Sequence, residues 1–303
     1  MAKAAGEREN LTIEEIINGL NYESFYETLG VDIRDIKGDE MRCICPFHND
    51  TKPSMNINRN TGLWNCLAGC GGGNIITFIA RKYGNVSTKD AGSILKALAY
   101  PLNVSIQQLS YTLQQNKSAM AFLTDKRGLS ADIIKKHKLG YNGDRITIPT
   151  YIDGVLVNVK YYKSGASLKF FSHFEDVGDK KRVAYGDAKL YPAVPVDDAV
   201  YLFEGEMDAL LALSLGLPGL TNSNGAGTWF AEWSHYLRNK DVYICYDNDK
   251  AGKDGAAKVA QSLIGTAKSV KVIDLFINIP EAEKSEDFTD FIVKYKKSTT
   301  DLA

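Results

Sequence analysis

Between Val200 and Gly255 the chain repeats one local pattern twice: an apolar run of strand length, a set of acids, then apolar residues at helical spacing. The first copy reads Tyr201-Leu202-Phe203-Glu204-Gly205-Glu206-Met207-Asp208. The second reads Val242-Tyr243-Ile244-Cys245-Tyr246-Asp247-Asn248-Asp249 and continues to Gly252. The runs before Glu204 and Asp247 are β-branched and aromatic without polar alternation, as in strands covered on both faces. Residues 206–215 and 250–264 carry the helical period. The pattern predicts an α/β sheet with parallel strands. Its acids lie at the carboxyl edge, where open α/β sheets place their sites.

The spacing sharpens that expectation. Asp247 and Asp249 are two apart, so an extended segment turns both carboxylates the same way. Glu204 and Asp208 are four apart, so the opening turn of a helix puts them on one face. Four converging carboxylates repel one another, and a hard divalent cation relieves the repulsion; oxygen ligands suit Mg2+ or Mn2+. A single acidic strand end is also what loops and helix starts favour. Two in succession, each followed by glycine, point to a site. Glu204-Gly205 with Asp208, then Asp247-x-Asp249-x-x-Gly252, resembles the TOPRIM domain shared by topoisomerases, bacterial-type primases and some nucleases. The resemblance implies the fold more firmly than the reaction, because that fold hosts several chemistries.

A second constellation lies upstream. Four of the five cysteines fall within residues 43–70, a clustering that in a cytosolic chain reads as metal binding rather than disulfides. Cys45-x2-His48 and Cys66-x3-Cys70 supply four soft ligands from two turns, which describes a closed, tetrahedral, structural zinc site. Cys43 rivals Cys45, since both point to one face of a strand; Cys45 is preferred because it stands in Cys-Pro-Phe-His. The stretch from Cys45-Pro46-Phe47-His48 through Pro53-Ser54 to Trp64-Asn65-Cys66 resembles the Cys-His-Cys-Cys zinc ribbon of bacterial and phage primases. Three residues separate Cys66 from Cys70, where that family usually has two.

The rest of the chain sets limits. Its 303 residues suggest two or three domains, and a net charge of −1 makes any nucleic-acid surface a local one. No apolar run approaches membrane-spanning length and the N-terminus lacks a signal-peptide core, so a soluble, cytoplasmic protein is expected, with no membrane partner; the resemblance to bacterial and phage primases implies a bacterial or phage- or plasmid-infected cell. No G-x-x-x-x-G-K-[ST] loop occurs. Thr12 and Glu15 form a predicted capping box. Residues 85–118 read as short helices and a polar connection ending in Gln114-Gln115-Asn116-Lys117-Ser118. Ser130 is a predicted helix cap and Gly140 a predicted stop. Asp153-Gly154 is a predicted hairpin turn. Basic residues gather over 126–182 with Tyr161, Tyr162, Phe170 and Phe171 among them, a mixture that suits phosphate contacts and base stacking on a single strand. Arg127, Arg145, Lys160 and Lys169 are the candidate template or triphosphate contacts.

The expected organisation is residues 1–84 as N-terminal helix and zinc ribbon, 85–118 as helical linker, 119–196 as the first part of a catalytic core, and 197–303 as TOPRIM domain and C-terminal helix. The fold class is α+β and multidomain, with a mostly parallel sheet flanked by helices in the TOPRIM part. In this order the elements resemble a bacterial or phage-type DNA primase. That resemblance implies synthesis of short RNA primers from ribonucleoside triphosphates on single-stranded DNA, with a replicative helicase as partner. It also implies one structural Zn2+ on Cys45, His48, Cys66 and Cys70, and one or two catalytic Mg2+ or Mn2+. Glu204, Asp208, Asp247 and Asp249 would be the catalytic acids, with Asp287, from a third acidic cluster, joining Glu204, Asp247 and Asp249 on the metal. A TOPRIM-type nuclease and a non-catalytic DNA-binding partner of a helicase are the alternatives.

Overall fold

The computed structural model describes residues 9–283 and 286–302. Two compact units emerge from the chain. One reaches to Asn103 and recruits Ile152–Val157 and His173–Tyr185; the other comprises Val104–Tyr151, Asn158–Ser172 and Gly186–Ala303.

The first unit begins with the capping box. Thr12 Oγ1 accepts from the Glu15 amide at 3.1 Å while the Glu15 carboxylate accepts from the Thr12 amide at 2.9 Å, opening helix Ile13–Asn18. An antiparallel meander follows, Asp32–Lys37, Glu40–Ile44, Met55–Asn58, Trp64–Cys66 and Gly71–Gly73 in sequential order. Met41, Cys43, Met55 and Ile57 alternate inward along it and are buried. They pack with Tyr26, Trp64 and Phe78 in one core; the Tyr26 and Phe78 rings meet edge-on at 4.9 Å. Helices Ile75–Lys82 and Thr88–Ala99 close this core. A small second sheet pairs Glu9–Asn10 with Lys181–Ala184, and that strand with Phe174–Asp176.

In the second unit the predicted polar connection is mostly helical. Helix Ile106–Gln115 ends at Asn116, whose side chain immediately caps the next helix, Lys117–Ala121. Ser130 caps helix Ala131–Lys136 as expected. Gly140 does not stop that helix. The helix ends at Lys136 with His137 as its cap, Lys138 takes the left-handed conformation at φ 52°, and Gly140 opens a strand against Thr147. Glycine is needed there because a side chain would collide with Leu109 and the Thr147 hydroxyl. Strands Ile146–Ile152 and Val155–Tyr162 are joined by Asp153 and Gly154, both at positive φ (44° and 82°), as a two-residue hairpin turn requires.

The sheet that organises this unit has five strands, ordered Leu190–Tyr191, Gly219–Asn222, Ala199–Phe203, Asp241–Ile244 and Ser269–Val272. All pairings are parallel except that of Leu190–Tyr191. Both faces are covered, as the uninterrupted apolar runs predicted. Val200, Leu202, Val242 and Ile244 point into one core, while Phe203 points into the other. Helix Glu206–Ser214 packs on one core and helix Lys250–Leu263 on the other. Trp229 and Trp233 meet edge-on at 5.6 Å, and Trp233, in the 3-10 turn Ala231–Leu237, is fully buried. The expected final helix is short: one turn leads into the π-helical segment Asp290–Lys294. No helix among the described residues is long and apolar enough to cross a membrane.

Trp233 fills the second core of the parallel sheet. Trp233→Ala is expected to destabilise this unit by about 3–5 kcal/mol, read as a lowered midpoint in chemical denaturation.

Candidate zinc site and acidic active site

The zinc ligands come from two turns of the meander. Cys45 follows strand Glu40–Ile44, His48 stands in the turn after it, Cys66 ends strand Trp64–Cys66, and Cys70 precedes Gly71–Gly73. One ligand atom from each of Cys45, His48, Cys66 and Cys70 lies within 4.8 Å of all the others. His48 Nδ1 is 3.1 Å from Cys70 Sγ and 4.0 Å from Cys66 Sγ. Thiolates and an imidazole at about 2.0–2.3 Å from a tetrahedral zinc lie roughly this far apart, so donor set and spacing fit the ion. Cys43 is not in the group; it is buried and its thiol donates to the Met41 carbonyl. The signal for Asp50 was not read from sequence. Its carboxylate accepts from the Cys45 amide at 2.8 Å and from Ser54 Oγ at 2.7 Å, and it lies 3.7 Å from His48 Nε2. Those donors hold Asp50 down at about 2. Asp50 thus braces the Cys45 turn through the Cys45 amide and Ser54, with its negative charge beside His48.

The acids occupy the carboxyl edge of the parallel sheet. Glu204 directly follows strand Ala199–Phe203, and Gly205 opens helix Glu206–Ser214 without a side-chain cap. Asp249 caps helix Lys250–Leu263, its Oδ1 accepting from the Gly252 amide at 2.7 Å. Glu204 Oε1 accepts from the Asp247 amide at 3.1 Å, which ties the ends of two paired strands. Gly252 makes this possible, because a Cβ there would collide with the Asp247 carbonyl oxygen and the Glu204 carboxylate. Asp208 is buried and accepts from the amide and hydroxyl of Thr289 at 3.0 and 2.7 Å. Asp287 and Asp290 each accept from the other's amide, at 2.9 and 3.2 Å.

These carboxylates act on one another. Burial raises Asp247 to about 9, and the charges of Asp208, Glu204, Asp287 and Asp249 add to the rise. Asp208 is raised to about 7 by burial and then by Asp287, against the pull of Thr289 and Arg127. Glu204 is raised by burial, with Asp249 adding to it. Among the described residues only the Cys/His group draws its ligand atoms within 4.8 Å of one another, so the acids form a more open ring. An open ring of hard oxygens suits Mg2+ or Mn2+, which keep several waters and take only a few carboxylates.

The basic candidates are distributed. Arg127 Nη1 is 3.5 Å from Asp287 Oδ2, and its Nη2 donates to the Tyr162 hydroxyl. Lys160 Nζ is 2.6 Å from Glu206 Oε1 and also donates to the Ser223 carbonyl. Arg145 donates to the Leu168 carbonyl at 2.9 Å and lies over the Phe171 ring at 4.9 Å. Lys169 is exposed, 5.9 Å from the centre of the Phe170 ring. The loop Asn222–Gly227 packs Ala226 so tightly on Gly255 that any side chain at 255 would clash. Thr289, Tyr162 and the Lys160–Glu206 pair carried no pattern in sequence, since each depends on a partner tens of residues away.

Comparison with known proteins bears on both centres. A family model described as CHC2 zinc finger matches residues 12–114, and one described as Toprim-like matches residues 201–292. The DNA primase of Haemophilus influenzae is 24% identical over 328 aligned positions, covering 83% of this chain and 54% of its own. Together the two family models and this relative support a DnaG-type primase. An uncharacterized Mycoplasma genitalium protein, MG010, is 31% identical over 147 positions, 45% of this chain and 64% of that one. Among solved structures, the zinc-binding and RNA polymerase domains of Aquifex aeolicus primase align with a TM-score of 0.44 at 20% identity, covering 93% of this chain and 82% of that one. The chain spans between about half and two thirds of the length of these curated relatives. The Cys/His cluster falls inside the zinc-finger match and the acidic edge inside the Toprim-like match.

Two outcomes follow from these centres. Cys66→Ser is expected to abolish the bound zinc, taking it from one per chain to none by metal analysis, with a lowered melting temperature. For the acidic edge the sign is set by Asp247. Its pKa is raised in the fold to about 9, so its stabilising contribution is complete below the ordinary carboxylate range, near 4, and is lost as pH rises through 9. Metal-free protein should therefore melt progressively lower between pH 5 and 9, and Mg2+ or Mn2+ should restore it. Asp247→Asn should raise the metal-free melting temperature at pH 8.5 by roughly 2–4 °C and flatten the response to cation.

Proposed function

We propose that this chain synthesises short RNA primers on single-stranded DNA from ribonucleoside triphosphates. The observation that supports it most is the set of carboxylates at one sheet edge, where burial and then the neighbouring acids push Asp247 to about 9, with a guanidinium beside them. The same chain carries a zinc ribbon suited to a template.

In the reaction the 3′-hydroxyl of the growing strand attacks the α-phosphate. A new P–O bond forms, the α–β bridging bond breaks, and pyrophosphate leaves. Such a displacement needs placement and charge neutralisation more than covalent help from the protein. A bound Mg2+ or Mn2+ supplies that neutralisation. Asp247, Asp249 and Asp287 are the residues to hold it. Glu204 stands at the reacting centre, as a metal-site acid or as acceptor of the hydroxyl proton, and Asp208 supports it from the interior. Arg127, buried against Tyr162 and aimed at Asp287, is the phosphate contact closest to the acids. Arg145 and Lys169 carry positive charge along the aromatic strand Phe170–Ser172, where a template strand can stack and be neutralised. Template in this form exists where a duplex is being opened, so a replicative helicase in the cytoplasm is the expected partner.

The test is synthesis on a mixed single-stranded template with labelled ribonucleotides and Mg2+ or Mn2+. Wild type is expected to give a short ladder, and Asp247→Ala to lower it about 100-fold or more. Template cleavage that needs metal and no nucleotide would replace this reading by a nuclease. Salt-sensitive DNA binding with neither product would leave a binding partner of a helicase.

A further inference from the structure

We propose that Lys160 and Glu206 form an internal clamp that positions Glu204, and that Lys160 contacts neither template nor triphosphate. The inference deepens the primase reading above and rests on it for the reaction, but not for the cation site.

Glu206 belongs to the first acidic run, two residues after Glu204, yet it does not join the acid ring. Its side chain is turned inward and is 3% exposed, and Lys160 beside it is 12% exposed. The Lys160 ammonium lies 2.6 Å from Glu206 Oε1 and donates to the Ser223 carbonyl as well. One cation thus joins three elements: strand Val155–Tyr162, the first turn of helix Glu206–Ser214, and the loop leaving strand Gly219–Asn222. Each of these borders the acidic edge. Ser223 is fixed again from its other side, its hydroxyl accepting from the Lys189 amide at 2.9 Å and its amide donating to the Lys189 carbonyl at 2.8 Å.

This arrangement matters for Glu204 because it is a third anchor of the turn that carries it, beside the Asp247 amide on Glu204 and Thr289 on Asp208. Gly205 provides no side-chain cap to the helix. The Tyr191 hydroxyl is buried near Glu206 and has no hydrogen-bond partner, so it does not share the load. Among the described residues, Lys160 is the ion-pair partner of Glu206. A buried carboxylate deprived of its cation moves toward water or toward another positive charge. Removing Lys160 alone would pull Glu206 and the helix start out of place and misdirect Glu204. Removing both charges would leave the backbone where it is.

The experiment compares Lys160→Met, Glu206→Gln and the double variant with wild type. Mn2+ binding to the full chain is followed by its paramagnetic signal, and primer synthesis is resolved into kcat and KM. Lys160→Met is expected to weaken Mn2+ binding and lower kcat, each about 10-fold or more, with KM for ribonucleotides within about 2-fold of wild type. The double variant should recover both to within about 3-fold of wild type, a coupling that independent roles would not produce. A KM raised about 10-fold in both Lys160→Met and the double variant would make Lys160 a phosphate contact and overturn the clamp. If Lys160→Met fails to fold, the double variant decides alone: wild-type Mn2+ affinity and KM support the clamp, and a raised KM overturns it. If wild type makes no primer, the primase reading falls, and the Mn2+ titration still decides the clamp.

Discussion

The Glu204 carboxylate accepts a hydrogen bond from the Asp247 amide, and the catalytic half of the molecule depends on that contact. It joins the ends of two adjacent parallel strands, Ala199–Phe203 and Asp241–Ile244, at the point where each chain turns into a helix. The turn after Asp247 can come this close only because residue 252 has no side chain. Once the two ends are joined, Asp247 is partly buried and surrounded by acids. Burial comes first in raising the proton affinities of Glu204, Asp208 and Asp247, and neighbouring carboxylates add to it. A carboxylate group so crowded is stable in the protonated form or with a cation, and at neutral pH the cation is the functional choice.

The two centres use opposite strategies for holding metal. The zinc cluster is closed: its soft donors are drawn within 4.8 Å of one another on short turns, and a carboxylate braces the Cys45 backbone beside them. Such a site contributes stability and leaves no vacancy for substrate. The acidic edge is open, its carboxylates spread over the ends of strands and helices and individually anchored by amide and hydroxyl donors. Openness leaves coordination positions to water and to phosphate oxygens. Structural rigidity and chemical access are thus assigned to different units of the chain.

Charge is handled with similar economy. Of the basic residues that composition singled out, Arg127 reaches the acids, Arg145 and Lys169 lie along aromatic rings, and Lys160 is committed to Glu206. A lysine in a basic stretch and a lysine in a buried ion pair look alike in sequence, because the partner that distinguishes them is 46 positions away. The same holds for Thr289, which anchors Asp208 across 81 positions. Ser130, Thr12 and the Asp153-Gly154 turn were legible because their partners lie within three or four residues. Gly140 misled for the complementary reason: glycine suits both a helix stop and a crowded strand, and only the neighbours Leu109 and Thr147 decide between them.

By itself, the sequence determined the parallel sheet, the position of Glu204 and Asp247 at its edge, and the four Cys/His side chains that cluster, because strand period, helix period and ligand spacing are local properties of the chain. Tertiary structure alone decided that Cys43 stays out of the cluster, that Gly252 is an obligatory gap beside Glu204, and that Glu206 faces inward to Lys160 rather than outward to a cation. It also decided that Ile152–Val157 and His173–Tyr185 complete the unit that carries the zinc ligands. Each of these turns on which distant backbone comes within a few ångströms, a quantity that packing sets and that no local pattern encodes.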